Sequence, residues 1–325
     1  MTILYDASEL GTISTMLVYR GSMVAMVVQS PIFWILIAFH AALLLIDRGF
    51  CGDGDTCNLS SGDNLTPMNW NGRGPITALS SFFLVFYGSN SYKRMQLLWG
   101  HCVGMGGSCM NWVCLVRNNL PPDKRLQWNC TRLVLATMHI QYYSLNEAKG
   151  GGESISADEW DLMVERHLLD REEVEVVRSY LGYKPFLPLV WAIEEVEAAI
   201  LGPEMVHVED IRLQQRCRAP DLLEEFRRIA FGFRFHCSQI TQWLNMPTPF
   251  PYYHGLNFVL LSDMLILSWA LVSLKFHAVL TAITYAVIIT AFLGLKEVAV
   301  AMSDPFGDDD VDFDTEKLLA GERIG

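Results

Sequence analysis

Apolar residues gather in four blocks along this chain, and the stretch between the second and third is amphipathic. Residues 31–46 run Pro-Ile-Phe-Trp-Ile-Leu-Ile-Ala-Phe-His-Ala-Ala-Leu-Leu-Leu-Ile, and the block extends back to Met23. Residues 75–99 form a second, more polar block, and 255–274 and 276–295 form a third and a fourth. Each approaches the ~20 residues that a helix needs to cross a bilayer, so the pattern predicts four spans. Pro75 suits the first turn of a helix, where its missing N–H costs nothing. Lys93-Arg94 supplies the cationic flank expected on the cytoplasmic side of span two. Lys275 alone separates spans three and four, which predicts a tight turn.

Residues 101–247 lack such a block. They carry amphipathic helical pieces at about 121–146, 155–180, 186–201 and 219–245, separated by Gly150-Gly151-Gly152 and by Pro185, Pro188 and Pro203. The expected fold is all-α. It comprises a cytosolic amino-terminal segment (1–22), spans one and two with an exposed loop (23–100), and a helical cytosolic domain (101–247). Spans three and four (248–300) and an acidic tail (301–325) complete it.

Composition sharpens this picture. Of the 325 residues 51% are apolar and only 18% charged, and the mean hydropathy is +0.23. A net charge of -12 argues against a nucleic-acid partner. Half of the acidic residues lie between Glu153 and Glu225, as on the solvated faces of soluble helices. The first apolar block is too long and begins too late for a cleaved secretory signal, and no Arg/Ser-rich transit segment precedes it. An integral protein of the plasma membrane or another secretory-route membrane is expected, with an organelle membrane as the alternative. The eight cysteines show no metal-ligand spacing. Cys51 and Cys57 suit a local disulfide, and Asn58-Leu59-Ser60 and Asn64-Leu65-Thr66 fit glycosylation acceptors, if their loop faces an oxidising side.

Candidate chemistry is concentrated at two places. Asp304-Pro305-Phe306-Gly307-Asp308-Asp309-Asp310-Val311-Asp312-Phe313-Asp314 puts six carboxylates into eleven residues. They repel one another unless water or a cation screens them. A solvated acidic tail is one reading. Against it, Phe306 and Phe313 are apolar residues that a disordered tail has no reason to keep, and Pro305 with Gly307 imposes a bend. Hard oxygen donors crowded on a bent loop suit calcium, though the spacing is not that of an EF-hand. In span two, Ala78, Phe82 and Phe86 are spaced four apart and share one helical face. Such a stripe is either ordinary packing or, around a symmetry axis, a set of stacked aromatic rings.

Asp263 lies inside span three. An intramembrane carboxylate is a functional candidate by default; the other reading pairs it with Lys275 or a hydroxyl in span four. His40 is expected to be a packing histidine. Group-transfer chemistry is not expected, since the sequence carries no nucleophile–base pair, metal triad or phosphate loop.

Several of these segments together resemble the bestrophins, a family of pentameric calcium-activated anion channels. Met1-Thr2-Ile3 with Tyr5 and Arg20-Gly21-Ser22 resembles the family's amino-terminal segment, here a few residues shorter. Phe82 to Tyr87, with Ser89-Asn90-Ser91-Tyr92 and Arg94, resembles its pore helix. Thr248-Pro249-Phe250-Pro251 resembles the Thr-Pro-x-Pro turn of bacterial and plant members. Asp304-Pro305-Phe306-Gly307 with Asp309, Asp310, Asp312 and Phe313 matches its calcium clasp.

The resemblance implies a homopentamer conducting chloride, with bicarbonate as a second anion. Its pore neck would be formed by Phe82 and Phe86, with Ala78 where the family usually has a third bulky apolar residue. It implies Ca2+ ligation by side chains of Asp304 (often Asn in the family), Asp309 and Asp312. Main-chain carbonyls near Ala301 and between Asp6 and Leu10 would complete the set. A cytosolic constriction falls on Asp221 or Leu222 in Arg218-Ala219-Pro220-Asp221-Leu222-Leu223, or on Met205; the other reading of Asp221 is an exposed helix-start residue after a proline. Two rival readings are a calcium-responsive membrane scaffold without a pore and a membrane enzyme using His101/Cys102 or His236/Cys237.

Overall fold

A computed structural model describes residues 18–19, 21–48, 74–145, 155–201, 209–246, 249–274, 276–306 and 312–320. All the regular structure among these residues is helical. The helices are α1 (Met23–Gln29), α2 (Pro31–Arg48), α3 (Gly74–Asn119), α4 (Lys124–Leu145), α5 (Ala157–Glu165), α6 (Arg171–Ser179), α7 (Phe186–Leu201), α8 (Glu209–Asn245), α9 (Phe250–Ser273), α10 (Ala278–Ala301) and α11 (Thr315–Ala320). The chain divides into two compact units. The first holds α1, α2, α3 up to Met95, α9 and α10; the second holds α3 from Gln96, α4 to α8 and α11.

In the first unit, α9 and α10 are each 24 residues long and apolar enough to span a membrane. At 1.5 Å per residue each reaches about 36 Å, more than a hydrocarbon core requires. The first apolar block is not one straight helix: α1 and α2 meet at a 75° bend, and together they have the length and composition of a span. The bend has a local cause. Pro31 has no N–H and disfavours helical backbone at the residue before it, and Ser30 is extended, with ψ 125°. The Trp34 indole N–H then donates to the Val28 carbonyl at 2.9 Å, serving a group that the break leaves open. Among the described residues, two to three segments thus have the length and apolarity of a span; the second predicted block, more polar, is part of α3.

The apolar core of this unit is formed by Val27, Phe33 and Leu36 with Leu260, Met264, Leu267, Leu271, Tyr285, Ile289 and Leu293. His40 fills a packing position within it. Its Nδ1 lies 2.8 Å from the Ser268 hydroxyl, and its ring stacks on Tyr285 at 4.3 Å between centroids. Asp263 is fully buried and accepts a hydrogen bond from the Thr77 hydroxyl at 2.8 Å. That partner comes from α3 rather than from span four, and Lys275 lies outside the described residues.

The second predicted span does not stop near residue 99. α3 runs on to Asn119, straight through Gly104, Gly106 and Gly107. Its buried positions recur at alternating steps of three and four: Ser80, Leu84, Tyr87 and Ser91 in the first unit, then Leu98, Cys102, Met105, Cys109, Trp112 and Val116 in the second. This is the seam of a helix with one face packed along its whole length.

In the second unit α4 is the central helix, with Cys130, Leu133, Val134, Ala136, Ile140 and Tyr142 all but inaccessible. Trp112 is fully buried, donates to the Cys130 carbonyl at 2.8 Å and meets Phe226 edge-on. The amphipathic piece expected at 155–180 is two helices. α5 ends in a turn where His167 adopts φ 56°. There Leu168 N–H donates to Met163 O and His167 N–H to Val164 O, the pair of bonds that closes a helix with a left-handed residue. Capping boxes start both helices, Ser156 with Glu159 and Asp170 with Glu173. Glu173 also receives both guanidinium nitrogens of Arg132, at 2.6 and 2.7 Å. The piece expected at 219–245 begins earlier, so Pro220 lies inside α8.

Two substitutions test this framework by thermal unfolding in detergent. Glu173→Ala removes a bidentate ion pair and half of a capping box, and is expected to cost about 2 kcal/mol. Thr77→Val withdraws a donor from a buried carboxylate, and a similar loss of about 2 kcal/mol is expected; an unchanged midpoint would show that the α3–α9 bond carries no stability.

Candidate functional site

Opposite faces of α3 have different fates in the first unit. One is tied down: Thr77 bonds Asp263, the Ser80 hydroxyl lies 3.4 Å from the Val259 carbonyl, and Leu84 and Tyr87 pack with Leu256 and Ala299. The other is left open. Ala78 is exposed, and Phe82 and Phe86 remain 64% and 48% accessible. One turn apart, their rings stack nearly parallel, 6.2 Å between centroids with a 15° interplanar angle. Further along the same face Ser89, Asn90 and Lys93 are exposed, so the stripe changes from aromatic to polar.

Tyr252, in the first turn of α9, packs against Phe86 of the phenylalanine pair and against the neighbouring Phe83. Its ring meets Phe86 edge-on at 5.8 Å and Phe83 at the same distance, and its hydroxyl donates to the Phe83 carbonyl at 3.2 Å. Sequence reasoning missed both Tyr252 and Thr77. The available signal for Tyr252 was an aromatic pair, Tyr252-Tyr253, at the entry of an apolar span, where amphipathic rings concentrate.

The acidic segment follows α10. Ala301 is its last residue, and the Ala301 carbonyl accepts from Asp304 N–H at 3.3 Å. Asp304 is exposed at this turn, whereas Asp312 is 3% accessible. Asp309 and the amino-terminal residues Asp6 to Leu10 lie outside the described residues, as do the loop cysteines and glycosylation motifs. Among the described residues no group of three or more His, Cys, Asp or Glu converges. The carboxylates are nevertheless the hard donors that calcium takes. The apolar residues between them are held within the second unit: Phe306 is 3% accessible and meets Phe313 edge-on at 5.4 Å, and Phe313 in turn touches Trp99. Asp314 caps α11 by accepting from the Lys317 N–H at 3.1 Å; that bond, with the Lys317 ammonium beside it, holds its carboxyl below the usual range.

Of the constriction candidates, Met205 lies outside the described residues. Asp221 is exposed and Leu222 packs against the core of the second unit. Because Pro220 is interior to α8, Asp221 is not a helix-start residue. The region named for an enzyme is built on buried thiols. Burial pushes Cys102 up to about 12 and raises Cys237 as well, suppressing the thiolate form that nucleophilic chemistry requires.

No protein-family model matches the sequence, and no curated protein does. Solved structures do match. A crystal structure described as a membrane protein is 16% identical over 89% of this chain and 93% of its own, with a TM-score of 0.68. A bacterial bestrophin homologue from Klebsiella pneumoniae, crystallised as a point variant, is 17% identical over 89% of this chain and 94% of its own, with a TM-score of 0.65. A second variant of that homologue gives 17% identity and a TM-score of 0.64 over the same coverage. At such identities the likeness is one of fold, and this chain is therefore an integral membrane protein with the bestrophin-type fold, helical in all the regular structure of its described residues.

Proposed function

We propose that this chain is one subunit of an oligomeric anion channel whose opening depends on calcium. The observation that carries the reading is the open face of α3, where Ala78, Phe82 and Phe86 stand uncovered while the opposite face is packed and hydrogen-bonded. In a ring of subunits, five by resemblance to the bestrophins, this stripe would surround a common axis. Phenyl groups that narrow a pore expel water and close it without any charged gate. Their positive ring edges offer a desolvating anion a mildly favourable surface. Beyond the aromatic neck, the Ser89 hydroxyl, the Asn90 amide and the Lys93 ammonium would present donors and positive charge, which concentrate anions over cations. Ala78 makes the neck wider at its outer end than two phenylalanines alone would suggest. Chloride is the expected ion, with bicarbonate second.

Asp304, Asp309 and Asp312, with the Ala301 carbonyl and one carbonyl of the amino-terminal segment, would hold the Ca2+. The ion would supply the charge that lets these carboxylates sit together, and it would favour opening only by the difference in its affinity for the two states.

Reconstitution into liposomes with an anion-flux readout tests both parts. Wild type should conduct only with calcium. Phe82→Ala with Phe86→Ala should conduct without it, and strict calcium dependence in that variant would remove the neck assignment. Asp309→Ala with Asp312→Ala should raise the calcium needed for half-activation roughly a hundredfold, ~1.4 kcal/mol for each charged ligand lost. An unshifted calcium response would overturn the clasp.

A further inference from the structure

Two histidines outside the site described above approach each other in the second unit. His101 on α3 and His236 on α8 bring their Nδ1 atoms to 3.2 Å, with ring centroids 5.5 Å apart and planes tilted by 51°. Space for this pair is provided by Gly104. A Cβ on Gly104 would lie 2.4 Å from His236 Cε1 and 2.8 Å from its Nδ1, so the imidazole occupies the notch that a missing side chain leaves. Glycine inside a helix costs roughly 1 kcal/mol relative to alanine, and the ring seated against it gives this one a packing role. Phe235 stands edge-on to both rings, at 6.0 Å from His101 and 5.6 Å from His236. Both imidazoles are only half-buried and so remain within reach of solvent ions.

We propose that His101 and His236 form a two-imidazole binding site for a divalent transition cation of the zinc class. Two Zn–N bonds of 2.0–2.1 Å at a tetrahedral ion hold their nitrogens about 3.3 Å apart, close to the spacing already present. Burial lowers the basicity of both rings, with the neighbouring His101 adding to the effect on His236, so both are neutral at pH 7 and have lone pairs to offer. Without metal, one Nδ1–H donates to the other Nδ1. On binding, that proton moves to Nε2 of the same ring, both Nδ1 lone pairs meet the metal, and no proton is released. Cys102 and Cys237, the next residue on each helix, are buried, and the Cys237 thiol contacts the Met105 sulfur at 3.3 Å. With two protein nitrogens the remaining positions belong to water, which makes the site reversible rather than structural. Imidazole selects borderline cations over calcium, so this site and the acidic tail discriminate between ions. A bound cation would pin α3 to α8.

The test uses full-length protein in detergent, its affinity tag removed and calcium saturating. Zn2+ titration calorimetry should give one site per chain. His101→Asn and His236→Asn should each weaken it roughly tenfold or more, since even outer-shell changes cost metal sites that much. Cu2+ in the same protein should show a two-nitrogen hyperfine pattern that falls to one nitrogen in either variant, while Asp312→Ala leaves it unchanged. Without any variant, Zn2+ should protect His101 and His236 from diethyl pyrocarbonate in peptide mass maps. Wild-type affinity in both asparagine variants, loss of binding on changing the tail alone, or failure of protection would each overturn the site. None of these readouts involves ion flux, so they stand or fall apart from the channel reading.

Discussion

The unequal treatment of the two faces of α3 is the constraint from which the rest of the first unit follows. A helix satisfies its own backbone hydrogen bonds, so what fixes its rotation is the side-chain chemistry on one face. Here that chemistry is the Thr77–Asp263 hydrogen bond, the Ser80 approach to Val259 and the packing of Leu84 and Tyr87. A carboxylate buried at 0% accessibility is costly to leave without a donor, and this makes the rotation of α3 specific rather than approximate. Once that face is turned inward, Ala78, Phe82 and Phe86 can only be turned outward. Tyr252 then packs against the rings of Phe83 and Phe86 and limits the sideways freedom of Phe86.

The second unit uses a different device. Its central helix α4 buries Thr131, Thr137, His139 and Gln141 together with its apolar residues. Three of these are served locally or by a neighbour: Thr137 donates to Leu133 O, His139 Nδ1 donates to Leu135 O while its Nε2 accepts from Arg166, and Tyr183 donates to Gln141. Burial, reinforced by Arg166, lowers the basicity of His139 and keeps the ring neutral. Satisfied polar groups inside a core select one arrangement among the many that apolar packing alone would tolerate.

The third and fourth predicted spans were legible as α9 and α10 because long apolar runs are a composition signal that needs no knowledge of partners. The proline break between α1 and α2, and the αL turn that splits 155–180 at His167, were not read, since each depends on where the neighbouring turn finds its last hydrogen bonds. The continuation of α3 past Gly104 was hidden for a related reason. Its buried seam is written partly in Ser, Tyr and Cys, and three glycines imitate a loop. Only the packing of α8 shows what one of them is for, as His236 fills the notch at Gly104. The two phenylalanines and the acidic motif stand out in the sequence by spacing and charge, whereas Thr77 and Tyr252 bond residues more than 160 positions away.

By itself, the order of apolar and polar residues determined that the chain is largely helical, that it enters a membrane and that six of its carboxylates crowd into eleven residues after the last apolar block. Those properties follow from transfer free energy and charge repulsion, which act on any chain of this composition. Which side of α3 is covered, which hydroxyl meets Asp263 and which two histidines face each other were decided only in three dimensions. Each of these depends on partners distant in sequence, and a linear pattern carries no information about the side chain that will arrive from the other helix.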